Sequence, residues 1–202
     1  MIVIGLTGSI AMGKTETARM FARLGIPVCD SDTIVRTLYE TGGAAVEPIR
    51  SAFPDAVVDG RVDRARLATA LAADPREFET LEAIVHPLVR HEQERFLDRC
   101  RKERAKLVVL DSPLLFETGR DRDVDFTVVV SAPPEIQKTR ALERPGMTGE
   151  KFTRLLARQM PDEEKRARAD FVVDSSRGLD HAFALVRDIM ATLTADSESS
   201  HA

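Results

Sequence analysis

The chain has 202 residues, a formal net charge of −4 and 43% hydrophobic residues, enough for one domain with a buried core. The acidic balance argues against a dedicated nucleic-acid binder, which usually carries a basic surplus, and no apolar run approaches membrane-spanning length. Two cysteines make no disulfide framework, and no Cys/His cluster has zinc-site spacing. We therefore expect a reduced, soluble, cytoplasmic protein without nucleic-acid or membrane partners.

The first motif along the chain is a P-loop, because residues 8–15 (Gly-Ser-Ile-Ala-Met-Gly-Lys-Thr) fit the pattern G-x-x-x-x-G-K-[ST]. An apolar run precedes it and apolar residues at helical spacing follow it, so it joins a predicted strand to a predicted helix. The backbone N–H groups of such a loop and the helix N-terminus bind phosphate. Lys14 is expected to reach the β- and γ-phosphates, and Thr15 to ligate Mg²⁺. The residues predicted to bind the nucleoside triphosphate are Ser9, Ile10, Ala11, Met12, Gly13, Lys14, Thr15 and Glu16.

Five short segments rich in β-branched residues are predicted strands, at 2–6, 26–29, 106–110, 125–130 and 170–173. They do not alternate polar with apolar residues, which is typical of strands covered on both faces. Helical patterns separate them. The sequence therefore predicts an α/β fold with a parallel sheet flanked by helices.

Two segments are longer than one crossover helix requires. The first, at about 40–100, is mostly helical, contains the turn signal Asp59-Gly60, and holds Pro87, which is expected to kink or break its last helix. We interpret it as an insertion that binds a second substrate. The second, at about 138–165, has a Pro/Gly break between arginine-bearing helices and is interpreted as a mobile lid. A tail at about 195–202 is expected to be disordered.

Acidic residues follow two of the predicted strands. Asp30 and Asp32 come after the second strand, at the sheet edge where ligands of open α/β sheets bind. A kinase acting on a hydroxyl needs a carboxylate to orient the acceptor and take its proton. We interpret Asp32 as this group and Asp30 as a helix N-cap, with N-capping as the alternative role for Asp32. Asp111, at the end of the third strand, is either a Mg²⁺ ligand or a turn cap.

Arginines in the predicted lid are candidates for transition-state stabilisation. Arg140 and Arg144 could place a guanidinium over the γ-phosphate, and a solvated helix face is the alternative. The basic clusters at 99–102 and 165–168 have acids nearby and are interpreted as solvated helix faces. His86, before Pro87, is either a kink residue or a functional one.

The whole pattern resembles the dephospho-coenzyme A kinase family over nearly the full length. Besides the P-loop, the resemblance rests on Val-Cys-Asp-Ser-Asp at 28–32, Ile-Val-His-Pro-Leu at 84–88 and Asp-Ser-Pro-Leu-Leu-Phe-Glu at 111–117. Arg158-Gln159 and the segment 169–174 also fit. The stretch 175–178 departs from the pattern, since Ser-Ser-Arg-Gly stands where the family often has Asn near Gly.

The resemblance implies a single P-loop NTPase domain over 1–202, with a five-stranded sheet, a helical substrate insertion and a lid. It implies ATP with Mg²⁺ and phosphorylation of the 3′-hydroxyl of dephospho-coenzyme A to give coenzyme A and ADP, the last step of coenzyme A biosynthesis. It implies catalytic roles for Asp32, Lys14 and Arg140, ATP binding by Arg144, and Mg²⁺ binding by Thr15 and Asp111. Acceptor binding is implied for Thr7, Asp32, His86, Pro113 and Leu114. We expect a monomer or a weak homo-oligomer.

Two other functions remain open at this point. A different small-molecule kinase of the nucleotide-kinase type would share the core and lid. A P-loop switch that hydrolyses a nucleoside triphosphate is the second alternative. The chain contains no asparagine, so the N-K-x-D guanine motif of GTPases is absent, and the large insertion also counts against a switch.

Overall fold

The computed structural model describes residues 1–74 and 76–199. In this part of the chain the strands are β1 (Ile2–Thr7), β2 (Val28–Asp30), β3 (Val57–Val58), β4 (Arg61–Val62), β5 (Leu107–Asp111), β6 (Phe126–Ser131) and β7 (Phe171–Asp174). The α-helices are α1 (Lys14–Arg23), α2 (Ser31–Tyr39), α3 (Val46–Ala52), α4 (Arg64–Ala73), α5 (Glu77–Lys102), α6 (Pro134–Leu142), α7 (Gly149–Leu156), α8 (Asp162–Arg168) and α9 (Leu179–Ser199). Short 3₁₀ helices lie at Pro54–Ala56 and Arg120–Asp123.

The main sheet has five strands in the order β2-β5-β1-β6-β7, and β1 pairs in parallel with both β5 and β6. The predicted α/β fold with a five-stranded parallel sheet flanked by helices is confirmed. Each of the five strands ends one residue later than predicted, at Thr7, Asp30, Asp111, Ser131 and Asp174. These polar residues were excluded from the apolar runs, yet their backbones continue the strands. The carboxyl ends of the strands are therefore polar, as a ligand-binding edge of an α/β sheet requires.

The sheet lies in the first of two compact units, which contains residues Met1–Cys29 and the chain from Arg104 onward. Its core is built on the central strands, where Ile4, Val109 and Val128 are fully buried. Phe21 of α1 and Val186 of α9 are also fully buried in this cluster. Burying side chains of this size stabilises a fold by about 1.5–3 kcal/mol each, so the sheet and these helices form a rigid base for the loops at the strand ends.

The second compact unit, Asp30–Glu103, corresponds to the predicted insertion but begins earlier than residue 40. It contains α2–α5 and the antiparallel hairpin β3-β4, whose two-residue turn is Asp59-Gly60, with φ of 50° and 76°. Its core includes the buried side chains Leu38, Ile49, Phe53, Leu67, Leu71, Val85 and Val89.

The predicted break at Pro87 is wrong, because Pro87 lies inside α5, a continuous helix of 26 residues; the kink, the other alternative, stays a prediction. A proline removes one backbone hydrogen bond from a helix. Val85 and Val89, on either side of it, are buried in the core of the unit. Tertiary packing of this kind contributes more to helix stability than local propensity, which explains why the helix persists.

The predicted lid corresponds to α6, α7 and α8 and the loops between them. A small apolar cluster joins this segment to the P-loop, since Ala141 of α6 and Phe152 of α7 pack with Ala11. In the structure α9 ends at Ser199, and the disordered tail at about 195–202 stays a prediction. Residues 200–202 lie outside the described residues. Within the described ranges, the helices are too short or too polar to cross a membrane.

Candidate phosphate-binding site

The P-loop forms a tight turn between β1 and α1. The N–H of Met12 donates to the carbonyl of Ser9 at 3.2 Å. Two residues have left-handed backbone conformations, Ala11 with φ of 62° and Gly13 with φ of 95°. This region costs a residue with a Cβ about 1–2 kcal/mol. The loop at Ala11 is therefore strained, as is common at ligand-binding sites.

Lys14, the first residue of α1, forms an ion pair across the carboxyl ends of β1 and β5. Its Nζ lies 2.5 Å from Oδ1 of Asp111, and the two side chains are only 12% and 4% exposed. Leu6 of β1 is in register with Asp111 of β5, and this pairing places the carboxylate beside the P-loop. The structure therefore brings together the predicted phosphate-binding lysine and the predicted Mg²⁺-binding aspartate.

Two hydroxyl groups of the loop differ in their surroundings. Thr15 is exposed in the first turn of α1, where its side chain is accessible to a ligand. Ser9 is 3% exposed, and its Oγ has no hydrogen-bond partner among the described residues. A buried hydroxyl without a partner is rare in folded proteins, so this atom fits a site that a polar ligand completes.

Side chains from the lid segment bind the backbone of the loop at Ile10. Its N–H donates to Oε1 of Gln159 at 2.9 Å, and its carbonyl accepts from Nε2 of Gln137 at 2.8 Å. Ile10 was predicted to bind ATP. In the structure both its N–H and its carbonyl are hydrogen-bonded to these amides, and its role in ATP binding stays a prediction. The N–H of Met12 is likewise hydrogen-bonded within the loop, to the Ser9 carbonyl.

Arg140 of α6 is held by Ser175, which follows β7. Its Nη1 donates to Oγ of Ser175 at 2.9 Å and its Nη2 donates to the Ser175 carbonyl at 2.8 Å. The Ser175 hydroxyl in turn donates to the carbonyl of Met12 at 2.7 Å. Ser175 therefore links Arg140, in the predicted lid, to the P-loop.

A cavity of about 290 Å³ opens beside this arginine, over the first turns of α1. Its lining residues come from the P-loop, α1, the lid and the start of α9. They are Ala11, Gly13, Glu16, Thr17, Met20, Arg140, Arg144, Ser175, Gly178, Leu179 and Ala182. The predicted ATP-binding residues Glu16 and Arg144 thus line the same cavity as Arg140. Sequence reasoning could have found Ser175, since it follows a strand directly, as Asp111 ends one.

Three of the predicted acceptor-binding residues belong to the sheet unit. Thr7 is fully buried and its Oγ1 donates to the Pro113 carbonyl at 3.4 Å, next to Leu114. The fully buried Lys165 donates to the same carbonyl at 3.3 Å and pairs with Glu117 at 2.8 Å. The prediction that cluster 165–168 is a solvated helix face is wrong for Lys165. A long-range ion pair of this kind leaves no local pattern in the sequence.

The other two, Asp32 and His86, belong to the unit 30–103. Asp30 is the N-cap of α2, as predicted: its Oδ1 accepts from the N–H of Asp32 at 2.9 Å and its Oδ2 from the Thr33 hydroxyl at 2.7 Å. Asp32 is exposed in the first turn of α2. His86 is exposed on α5, and its predicted role in acceptor binding stays a prediction.

Asp32 lines a second cavity, of about 460 Å³, within this unit. The walls combine apolar side chains with two arginines, and the residues are Asp32, Val35, Arg36, Tyr39, Arg64, Leu67, Ala68 and Leu71. Burial raises the pKa of Tyr39, and the nearby Arg64 partly offsets this increase. The Arg64 guanidinium lies 5.6 Å from the centre of the Tyr39 ring. The cavity therefore offers cationic, aromatic and carboxylate groups to one ligand.

Comparison with known proteins gives one consistent family. The model of the family described as Dephospho-CoA kinase matches residues 2–181. A Dephospho-CoA kinase from Agrobacterium fabrum is 55% identical over 195 residues, which cover 96% of this chain and all of that protein. Another from Mesorhizobium japonicum is 52% identical over 193 residues, covering 96% of this chain and 97% of that one.

A solved structure is also similar to this chain. The crystal structure of TT1252 from Thermus thermophilus has a TM-score of 0.82 and 37% identity, and the match covers 95% of this chain and 97% of that one. The family model over residues 2–181 and the two curated relatives show the family of this protein. The chain belongs to the dephospho-CoA kinase family.

Proposed function

We propose that this protein transfers the γ-phosphoryl group of ATP to the 3′-hydroxyl of dephospho-coenzyme A, giving coenzyme A and ADP in the last step of coenzyme A biosynthesis. The observation that carries the proposal is the P-loop with its buried Lys14–Asp111 pair, inside a chain that matches the family model over residues 2–181. Phosphoryl transfer depends mainly on positioning and charge stabilisation, and both parts of the chain offer groups for this.

The P-loop binds the phosphoryl donor, ATP. The N–H groups of Ala11, Gly13, Lys14 and Thr15 bind the β- and γ-phosphates at the N-terminus of α1. Lys14 exchanges its ion pair with Asp111 for one with the phosphates. The cavity of about 290 Å³ over α1 accepts the nucleoside, and Arg140 and Arg144 at its wall neutralise charge that develops during transfer.

The proposed metal ion fits the oxygen groups beside the loop. Thr15 offers a hydroxyl and Asp111 a carboxylate, which are the hard oxygen ligands that Mg²⁺ prefers. In proteins Mg²⁺ is usually held by one or two carboxylates plus phosphates and water. This agrees with the absence, among the described residues, of any cluster of three or more acidic, histidine or cysteine side chains. When bound, Mg²⁺ neutralises charge on the phosphates.

Asp32 is the proposed general base. Because Asp30 caps α2, Asp32 keeps its carboxylate for the acceptor. It lines a cavity with Arg36 and Arg64, two cations suited to the diphosphate of dephospho-coenzyme A. Its work is to orient the 3′-hydroxyl and accept its proton. In the sheet unit, Pro113 and Leu114 complete acceptor binding, with Thr7 supporting the Pro113 carbonyl.

The experiment that tests this function is an acceptor panel. Purified protein is incubated with ATP, Mg²⁺ and, separately, dephospho-coenzyme A, shikimate and nucleosides, and products are identified by mass spectrometry. We expect one phosphoryl group to be added to dephospho-coenzyme A, and no product with Lys14→Met. Transfer to another acceptor, or release of free phosphate with no acceptor consumed, would contradict the proposal.

A further inference from the structure

A buried and a half-buried glutamine amide hydrogen-bond to the backbone N–H and carbonyl of one P-loop residue, Ile10. Gln137 of α6 is 4% exposed and donates from Nε2 to the Ile10 carbonyl at 2.8 Å. Gln159, after α7, accepts from the Ile10 N–H with Oε1 at 2.9 Å. We call this arrangement the glutamine clamp.

The clamp fixes which end of each amide faces the loop. A backbone carbonyl can only accept, so Gln137 must present its NH₂ group. A backbone N–H can only donate, so Gln159 must present its oxygen. The two glutamines are therefore chemically unequal, and the same substitution has different consequences at the two positions.

The peptide that the clamp holds precedes the strained part of the loop. Ala11, the next residue, has φ of 62°, a conformation that a residue with a Cβ rarely adopts. Strained backbone persists where surrounding contacts over-determine it. The clamp supplies such contacts on one side, and the bond from Ser175 to the Met12 carbonyl at 2.7 Å supplies one on the other.

The clamp also has a firm support. Met160, directly after Gln159, donates its N–H to Oε1 of Glu117 at 2.8 Å. Glu117 is paired with the fully buried Lys165. Gln137 lies within the first turn of α6, where its own N–H donates to the Pro133 carbonyl at 3.0 Å. Both amides therefore project from backbone that other contacts hold in place.

We propose that Gln137 and Gln159 are positioning residues, which act through the backbone of Ile10 to hold the N–H groups of Ala11, Gly13, Lys14 and Thr15 in the conformation that binds phosphate. This rests on the proposed function only in so far as the P-loop binds ATP. The clamp connects α6 and the residues after α7 to the loop. ATP affinity therefore depends on side chains that do not contact the nucleotide.

The test uses substitutions matched in size and charge. Gln137→Glu and Gln159→Glu each add one negative charge, but only the first loses a needed donor, whereas the second keeps the needed acceptor. Affinity for Mg-ATP is measured by calorimetry without acceptor, at about pH 9, where a carboxyl group whose pKa is raised by burial is ionised. Gln137→Met, which loses the donor without adding charge, serves as the second variant.

We expect Gln137→Glu and Gln137→Met to bind ATP about tenfold or more weakly than wild type, and Gln159→Glu to stay within about threefold, which corresponds to the loss or retention of one hydrogen bond. Affinity for dephospho-coenzyme A stays unchanged in all three. A fourth variant, Gln159→Met, loses the acceptor for the Ile10 N–H. Hydrogen exchange of the Ile10 amide, measured without nucleotide, should remain slow in Gln159→Glu and become fast in Gln159→Met.

Equal ATP affinities for the two glutamate variants would overturn the proposal, as would a loss of ATP affinity that simply follows a fall in melting temperature. An unprotected Ile10 amide in the wild-type protein would overturn it as well. Failure of the wild-type protein to phosphorylate dephospho-coenzyme A contradicts the proposed function instead, and leaves the comparison of ATP affinities valid.

Discussion

Lys14 Nζ lies 2.5 Å from Asp111 Oδ1, so the cation proposed to bind phosphate is paired with a carboxylate in the structure. Both side chains are nearly buried. An ion pair removed from water is strengthened by the low local dielectric, and losing one partner leaves the other with an unfavourable charge. When Lys14 turns to the phosphates in the proposed function, the Asp111 carboxylate needs another cation, and Mg²⁺ is the ion proposed to supply it.

The first prediction concerns this pair. We expect Lys14→Met to abolish most turnover and to weaken ATP binding by about 1.5–3 kcal/mol, the contribution of a charged hydrogen bond. Lys14→Arg keeps the charge but not the shape, and is expected to retain the stability of the fold while losing most activity. Calorimetric ATP affinity, melting temperature and steady-state kinetics measure these effects. Full turnover in a folded Lys14→Met protein is incompatible with the role assigned to the P-loop.

The second prediction concerns Ser175, which binds Arg140 and the Met12 carbonyl. Replacing Ser175 by alanine removes both side-chain hydrogen bonds, each contributing about 0.5–1.5 kcal/mol. We expect KM for ATP to rise roughly five- to fiftyfold, with KM for dephospho-coenzyme A unchanged. Ser51→Ala is the control, because Ser51 makes an exposed hydrogen bond to the Glu47 carbonyl in the other unit. Similar kinetics for the two variants would refute a role of Ser175 in the nucleotide site.

The third prediction concerns the arginines of the lid. If Arg140 and Arg144 act on charge that develops during transfer, Arg140→Met and Arg144→Met lower kcat more than they weaken ATP binding. Arg154→Met is the matched control, since Arg154 is exposed on α7 and does not line the cavity over α1. Amide exchange in segment 138–165 should slow when both substrates are bound. If amide exchange did not change on substrate binding and kcat were equal in the three variants, Arg140 and Arg144 would belong to an ordinary solvent-exposed helix surface.

The fourth prediction concerns pH and the N-cap of α4. The carboxylate of Asp63 accepts hydrogen bonds from the N–H groups of Arg66 and Ala65, and these bonds lower its pKa below the usual 3.8. Because the folded pKa is the lower one, the stabilisation is present above the unfolded pKa and is lost as the pH falls through the folded pKa. We expect Asp63→Ala to lower the melting temperature at neutral pH.

The difference between Asp63→Ala and wild type should shrink below the folded pKa, where both proteins lack the carboxylate. Asp55→Ala controls for the loss of one acidic side chain, as Asp55 is exposed. A difference in melting temperature that is constant from neutral to strongly acidic pH would contradict the assignment of the cap.

Local patterns predicted the parts of the molecule that neighbouring residues determine. The P-loop, the Asp30 cap and the Asp59-Gly60 turn each depend on a few consecutive residues, whose backbone conformation follows from their own chemistry. The strands were found because buried strands read as apolar runs. Some of their last residues, such as Ser131, were missed because a polar side chain at a sheet edge ends the apolar run before the backbone pairing ends.

Long-range contacts were beyond the sequence. Nothing periodic distinguishes the fully buried Lys165 from a surface lysine, because its partner Glu117 is 48 positions away along the chain. Gln137 and Gln159 lie 127 and 149 positions from Ile10 along the chain, so only the folded structure brings them to its backbone. The break predicted at Pro87 was wrong for a different reason. Proline is a strong local signal for the end of a helix, but the packing of Val85 and Val89 in the core outweighs it.

The most direct test of the account is transfer from ATP labelled in its γ-phosphoryl group to dephospho-coenzyme A by wild type and by Asp32→Asn. Asparagine keeps the size of the side chain but cannot accept a proton, and removing a general base costs about 10²–10⁴-fold in rate. Asp30→Ala is the contrast, because loss of the α2 cap costs about 1 kcal/mol of stability. We expect label on the acceptor with the wild-type protein. With Asp32→Asn the rate of transfer should fall by about 10²-fold or more, while ATP affinity and melting temperature stay unchanged. A destabilised Asp32→Asn protein that still transfers label at nearly the wild-type rate would contradict it.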